Sequence, residues 1–232
     1  MNIVITGAAR GIGKAIAGKF AVEGHTLFLC ARNKETLENT AANMLEKFKK
    51  CQVHTMVADL SDKANADAFA EWCLTFAAPD ILINNAGGFV PGNILDEPDD
   101  NLENMINNNL YSAYHLTKKL APAMVKNGSG HIFNICSVAS LQAYNGGGSY
   151  SISKFALNGF SKNLRHELKE HNIKVTAVFP GAVFTDSWAG FDNSTNRIME
   201  ADDIAAMILA CTKLSPAAVP EEIVMRPQLG DL

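Results

Sequence analysis

A chain of 232 residues has room for one large domain or two small ones, and 47% hydrophobic with 19% charged residues is the composition of a folded globular protein, not of a disordered or fibrous one. Twenty Lys and Arg against 24 Asp and Glu leave a net charge of −4, with no basic run longer than a pair such as Lys49-Lys50, so no nucleic-acid surface is advertised. Five scattered cysteines (Cys30, Cys51, Cys73, Cys136, Cys211) without a C-x-x-C spacing exclude a disulfide framework or zinc knuckle, and no apolar run approaches the ~20 residues of a membrane span; a soluble protein of the reducing cytoplasm is expected.

The first strand-like run, Ile3-Val4-Ile5, begins almost at Met1, so no cleaved signal is expected. Thr6-Gly7-Ala8-Ala9-Arg10-Gly11-Ile12-Gly13 follows, then helical sequence from Lys14 to Val22. A strand, a glycine-rich turn and a helix start form a pyrophosphate site: glycines let the backbone turn tightly, and unpaired helix N–H groups meet the phosphates. The spacing here is G-x-x-x-G-x-G, and the plain alternative is a turn with no ligand. The second strand, Leu27-Phe28-Leu29, runs into Cys30-Ala31-Arg32-Asn33. A NAD site would place an acid at this strand end. None is present, and Arg32, with Arg10 from the glycine turn, would pair with a 2′-phosphate, which favours NADP(H) over NAD(H). The alternative is two solvated surface arginines.

Val53 to Val57 is the third strand, and Asp59 after it is either a ligand residue or a helix cap leading into Ser61-Asp62. Ile81-Leu82-Ile83 is the fourth strand and Leu102 to Leu120 reads as helix. His131 to Ile135 is the fifth strand, with Ser137 at its end, where a parallel sheet presents ligand-binding residues. Tyr150 and Lys154, four apart at the start of a helical stretch, project from one face. Val175 to Phe179, a helix over Ala201 to Leu214 and a final strand at Ile223-Val224-Met225 complete the series. The runs are apolar without period-two alternation, as for strands buried on both faces, and the intervals accommodate crossover helices. The prediction is an α/β protein: a doubly wound parallel sheet of about seven strands with helices on both faces. No linker or repeat divides the chain, so one domain over 1–232 is expected.

With Thr6-Gly7-x-x-x-Gly11-Ile12-Gly13, Asp59-Leu60, Asn84-Asn85-Ala86-Gly87, Asn109-Leu110, Ser137, Tyr150-x-x-x-Lys154, and Pro180-Gly181 before Thr185 in this order, the chain resembles the short-chain dehydrogenase/reductase family, in its single-domain Rossmann branch. The resemblance implies that Tyr150 is the general acid/base for hydride transfer from NADPH to a carbonyl. Lys154 would lower the phenol pKa and hold the nicotinamide ribose, Ser137 would bond the substrate oxygen, and Asn109, favoured over Asn107 and Asn108, would hold a water beside Lys154. It also implies a cofactor set of Thr6, Gly7, Ala9, Arg10, Gly11, Ile12, Gly13, Arg32 and Asn33. Asp59 and Leu60 would lie at the adenine and Asn85, Ala86 and Gly87 beside its ribose, with Pro180, Gly181, Val183 and Thr185 over the nicotinamide side. Cys136 is read as a small core residue in preference to a redox thiol, and His166 and His171, five apart, give no zinc motif, so no metal is expected.

The C-terminal sequence, Glu221 to Leu232, lacks the glycine-rich tail of the ketoacyl reductases. Pro180 to Thr185, Asp202 to Ala205, Arg226-Pro227 and Gly230-Asp231 look closer to the bacterial sepiapterin-reductase-like members. Asp186 to Met199, with Trp188 and Phe191 as aromatic anchors, is expected to be the substrate lid; the plain alternative is a surface loop. The expected activity is NADPH-dependent reduction of a small carbonyl metabolite, sepiapterin- or diketone-like, by a homodimer or homotetramer. The alternatives are a 3-oxoacyl-[acyl-carrier-protein] reductase and, from another class, a protein that senses NADP(H) without chemistry.

Overall fold

The computed structural model describes residues 1–231. Nine strands are formed among the described residues: β1 (Asn2–Thr6), β2 (Thr26–Ala31), β3 (Gln52–Val57), β4 (Ile81–Asn84), β5 (Gly130–Ile135), β6 (Ile173–Pro180), β7 (Val183–Phe184), β8 (Met199–Glu200) and β9 (Glu222–Met225). Seven of them make one parallel sheet in the order β3-β2-β1-β4-β5-β6-β9, and β7 pairs with β8 apart from it. The helices are α1 (Gly11–Val22), α2 (Lys34–Lys47), α3 (Lys63–Phe76), α4 (Asn101–Ile106), α5 (Ser112–Asn127), α6 (Gly148–Leu168) and α7 (Ala201–Thr212).

Successive residues of the inner strands serve opposite layers, which is why their sequence shows no alternation. Ile3, Ile5, Leu27, Leu29, Ile81 and Ile83 pack with Phe20 of α1, Leu37 of α2 and Ile204 and Ile208 of α7. Val4, Phe28, Cys30, Leu82 and Ile132 pack on the other side with Phe69 of α3 and Leu116 and Leu120 of α5. Each such fully buried side chain contributes about 1.5–3 kcal/mol of hydrophobic stabilisation. Burial on both faces does not extend to the edges. In β3 no residue is fully buried and Val57 is exposed, while β9 alternates, with Val224 turned to solvent, because an edge strand has one neighbour and less helix cover.

The helix expected over Leu102 to Leu120 begins one residue earlier, extends to Asn127 and is interrupted at Asn107–Tyr111 by a π-turn. The chain crosses from one side of the sheet to the other between the adjacent strands β1 and β4. In open α/β sheets this switch point opens a crevice at the carboxyl ends of the strands.

His131, the second residue of β5, is buried, stacks on Phe133 and bonds the Thr176 hydroxyl at 2.8 Å, while that hydroxyl donates to the Pro220 carbonyl at 2.6 Å. Burial pushes the imidazole down to about 3. The unfolded chain therefore binds a proton near pH 6.5 that the folded one refuses, so His131 erodes stability as pH falls from 6.5 toward 3. At pH 5 that loss is ~2 kcal/mol relative to neutrality. His131→Gln is expected to flatten this part of the acid limb in urea titrations, and an unchanged limb would remove His131 as its cause.

Candidate active site

The crevice is a cleft of about 760 Å³. The glycine turn supplies Gly7, Ala9, Arg10, Gly11 and Ile12 to its wall, the end of β2 supplies Arg32 and Asn33, the end of β3 Asp59 and Leu60, and the end of β4 Asn85, Ala86 and Gly87. Thr185 closes it from the far side, with its methyl 3.2 Å from where a Cβ on Gly11 would sit. Gly7 and Gly11 both hold positive φ, at 63° and 52°, the region glycine enters freely.

Thr6 and Gly13 lie beneath this surface. The Thr6 hydroxyl accepts from the N–H groups of Asn85 and Ala86 at 2.9 and 2.8 Å, and the Asn85 amide donates to the carbonyls of Thr6 and Gly7 at 2.9 and 3.2 Å. A Cβ on Gly13 would collide with the Gly7 carbonyl oxygen and come within 2.5 Å of the Asn85 amide nitrogen. The N-terminus of α1 has no side-chain cap and no acidic residue in its first turn, so its N–H groups stay free for an anion.

Several side chains expected at the cofactor have structural partners of their own. Asn33 caps α2 by accepting the Thr36 N–H at 2.9 Å. Asp59 accepts from the Ser61 N–H and hydroxyl at 3.1 and 2.7 Å, and the cap of α3 is Asp62, not Asp59. Leu60 is buried in the second core layer. Arg10 is exposed and pairs loosely with Asp186 at 3.7 Å. Pro180, Gly181 and Val183 do not line the cleft: Gly181 donates to the Met225 carbonyl at 2.7 Å and packs under Asp231, and Val183 is buried in β7. They lie between the end of β6 and Thr185, which does line the cleft.

Ser137, Tyr150, Lys154 and Asn109 come together at the carboxyl edge of the sheet, beside this cleft. Tyr150 and Lys154 lie one turn apart near the start of α6. Lys154 is buried and donates to the Ile135 carbonyl at 2.9 Å, and desolvation pulls its ammonium down to about 8. The Ser137 hydroxyl near the Tyr150 phenol favours the phenolate, but burial outweighs this and raises the phenol above its ordinary value. The expected lowering by Lys154 therefore does not dominate here; the ammonium lies 5.9 Å from the Tyr150 ring centre. Ser137 is extended and accepts the Ala139 N–H at 3.1 Å, opening a 3₁₀ turn.

The π-turn drives Asn109 inward, whereas Asn107 and Asn108 are only half-buried. Its amide donates to the Gly88 carbonyl at 3.0 Å and the Ser153 hydroxyl at 2.9 Å, and its carbonyl accepts the Gly88 N–H at 2.8 Å. A Cβ on Gly87 would lie 2.6 Å from the Asn109 carbonyl oxygen and 3.7 Å from the Lys154 ammonium, so the loop after β4 reaches this corner only as glycine. Cys136 beside it is inert, its thiol pushed up to about 11 by burial.

Three contributors were not read from the sequence. Glu97 caps α6 from outside: its carboxylate accepts the Ser149 N–H at 3.2 Å, the Ser149 hydroxyl and the Asn101 amide at 2.6 Å, bonds that hold its carboxyl below the usual range. The available signal was Gly146-Gly147-Gly148, a helix start with no capping side chain of its own. Phe89 sets its ring edge-on to Tyr150, with centroids 4.8 Å apart. Arg197 fastens the expected lid to the C-terminal tail by donating to the Gly230 and Asp231 carbonyls at 3.0 and 3.2 Å. That segment, 186–199, is a compact loop whose ends meet in the β7–β8 pair. Asn193 is bonded to Ile198 and Glu200 inside it, and Trp188 lies against Phe191.

A family model described as short chain dehydrogenase matches residues 1–195. The chain is 32% identical over 239 residues to a sepiapterin reductase from Chlorobaculum tepidum, covering 99% of this chain and 97% of the relative. Among solved structures it is similar to a metagenomic short-chain oxidoreductase in complex with NADP, with a TM-score of 0.86, 31% identity, and 98% and 97% of the two chains covered. It is also similar to a short-chain dehydrogenase from Sphingobium yanoikuyae in complex with NADPH, with a TM-score of 0.84, 32% identity, and 97% and 86% covered.

Proposed function

The chain belongs to the short-chain dehydrogenase family, and from that premise we propose that it is an NADP(H)-dependent reductase that turns the carbonyl of a small metabolite into an alcohol. The observation that carries this reading is the convergence of Ser137, Tyr150, Lys154 and Asn109 beside a glycine-lined cleft.

The cleft fits a dinucleotide phosphate on its own terms. Gly13 lets α1 pack tightly under the Gly7 turn, the α1 N-terminus keeps free N–H groups, and Arg10 and Arg32 stand on the wall with no acid at the end of β2. NADPH, when bound, supplies the hydride to the carbonyl carbon. Tyr150 would give its phenolic proton to the carbonyl oxygen, so that one carbonyl, one hydride and one proton become one alcohol, and the phenolate regains its proton from solvent. A phenol held protonated by burial suits this direction. Ser137 bonds the same oxygen and steadies its growing charge. Lys154 holds the nicotinamide ribose, and Asn109 keeps the Gly87-Gly88 turn in place beside it.

The likeness to the sepiapterin reductase supports a sepiapterin- or diketone-like substrate, and residues 186–199 serve as its lid in a single domain. The protein assembles as a homodimer or homotetramer in the cytoplasm in this reading; Tyr111, Tyr114, Ile152 and Phe155, exposed on the segments flanking Asn109 and Tyr150, are the apolar surface available for it. No described helix is long and apolar enough to cross a membrane. The test is consumption of NADPH and NADH over a ketone panel by the wild type and Arg32→Asp. NADPH is expected to be used at least about tenfold better by the wild type, and the variant should lose most of that preference, because a carboxylate would replace the phosphate's counter-charge. Equal losses with both cofactors would remove Arg32 from the 2′-phosphate.

A further inference from the structure

We infer that the substrate is an uncharged carbonyl compound with a planar, apolar body, and that anionic carbonyls, keto acids and phosphate-bearing thioesters alike, are discriminated against. The inference rests on the carbonyl-reductase reading above and narrows it.

The substrate side of the site is built by segments 85–100, 136–149 and 181–200, which leave the carboxyl ends of the neighbouring strands β4, β5 and β6. The first two meet directly: Gly92 donates to the Gly146 carbonyl at 3.0 Å, and Gly146 donates to the Asn93 side chain at 3.0 Å. Neither contains a Lys, Arg or His. The third contains one cation, Arg197, and its two terminal nitrogens already bond the C-terminal tail. Lys154 is buried and committed to the Ile135 carbonyl, and Arg10 faces Asp186 on the cofactor side.

Negative charge, by contrast, is plentiful on the same segments. Asp96, Asp99, Asp100 and Asp192 are exposed there. A carboxylate or phosphate entering would lose water without meeting a counter-charge, and would meet like charge on the way in. An acyl-carrier partner, which presents its thioester on a phosphate-bearing arm, would find no basic patch among these described residues.

What the segments offer instead is apolar surface. Phe89, edge-on to Tyr150, keeps 49% of its surface exposed, and Val90, Ile94, Leu95, Leu141, Tyr144 and Phe184 are exposed on the same three segments, Leu95 almost wholly. Scattered apolar residues are normal on a surface, but exposed apolar side chains on the segments that lead from the strand ends beside a proton donor are available as ligand surface. An aromatic edge beside the reacting phenol favours a flat partner over a branched aliphatic one.

The experiment compares kcat/KM with NADPH for an uncharged aryl ketone, its para-carboxylate analogue and acetoacetyl-coenzyme A, in the wild type and in Leu95→Lys. The wild type is expected to favour the uncharged ketone over both anions by at least about tenfold, and Leu95→Lys to narrow that ratio several-fold by supplying the missing cation. A wild-type ratio near one, or one favouring an anion, overturns the inference while leaving the reductase reading intact. A ratio unmoved by Leu95→Lys overturns its charge basis. No NADPH oxidation with any of the three, by protein that binds NADPH, overturns the reductase reading and the substrate class with it.

Discussion

Tyr150→Phe is expected to lower kcat for carbonyl reduction by about a thousandfold while NADPH affinity stays within about twofold. The alcohol oxygen needs a proton as the C–H bond forms, and the phenol beside Ser137 is the side chain placed to give it. A positioned general acid contributes roughly 10²–10⁴ in rate, and a thousandfold corresponds to about 4 kcal/mol of barrier. The substitution removes one oxygen and keeps the ring, so the edge-on contact with Phe89 survives and the start of α6 remains capped by Glu97. Folding loses at most about 1 kcal/mol, the worth of one hydrogen bond to the removed hydroxyl. Fluorescence titration with NADPH, a thermal melt and steady-state rates on the same preparation separate these quantities. Residual turnover close to wild type would transfer the proton-donor role to another group.

Gly13→Ala is expected to weaken NADPH binding by about a hundredfold, close to 3 kcal/mol. The added methyl meets no flexible side-chain end. It meets the Gly7 carbonyl, part of the turn itself, and the Asn85 amide, which ties β4 to that turn through the carbonyls of Thr6 and Gly7. The turn must shift for the methyl to enter, and the N–H groups aimed at the pyrophosphate shift with it. Gly13 lies in ordinary helical backbone, so the loss is one of space and not of conformational freedom. Gly18, on the same helix with open space at its Cβ position, supplies the control: Gly18→Ala should bind NADPH as the wild type does. Equal affinity in Gly13→Ala and wild type would mean that the turn does not hold the phosphates.

The strand runs were legible because inner strands of a covered parallel sheet carry apolar side chains on both faces, and seven such runs became seven sheet strands. Exceptions fell where sequence has no voice. The half-exposed edges β3 and β9 follow from strand order, which local pattern does not encode, and the two-residue β7 and β8 are too short for any period. Among site residues, those in a fixed spacing, the glycine turn and Tyr150 with Lys154, could be named from the chain. The local partners of Asn33, Asp59 and Gly181 needed three dimensions, since capping a helix or closing a turn and facing a cofactor call for the same residue types. Glu97 was hidden because its partner Ser149 lies far along the chain, and the upward push on Tyr150 was hidden because burial is a property of the fold.

The most direct measurement is the stoichiometry of NADPH oxidised to alcohol formed when the wild-type protein is given a panel of uncharged aryl ketones. One alcohol produced per NADPH consumed, lost in Tyr150→Phe, is the expected result. Tight NADPH binding with no consumption across the panel would contradict a reductase and leave a protein that binds the nucleotide without chemistry.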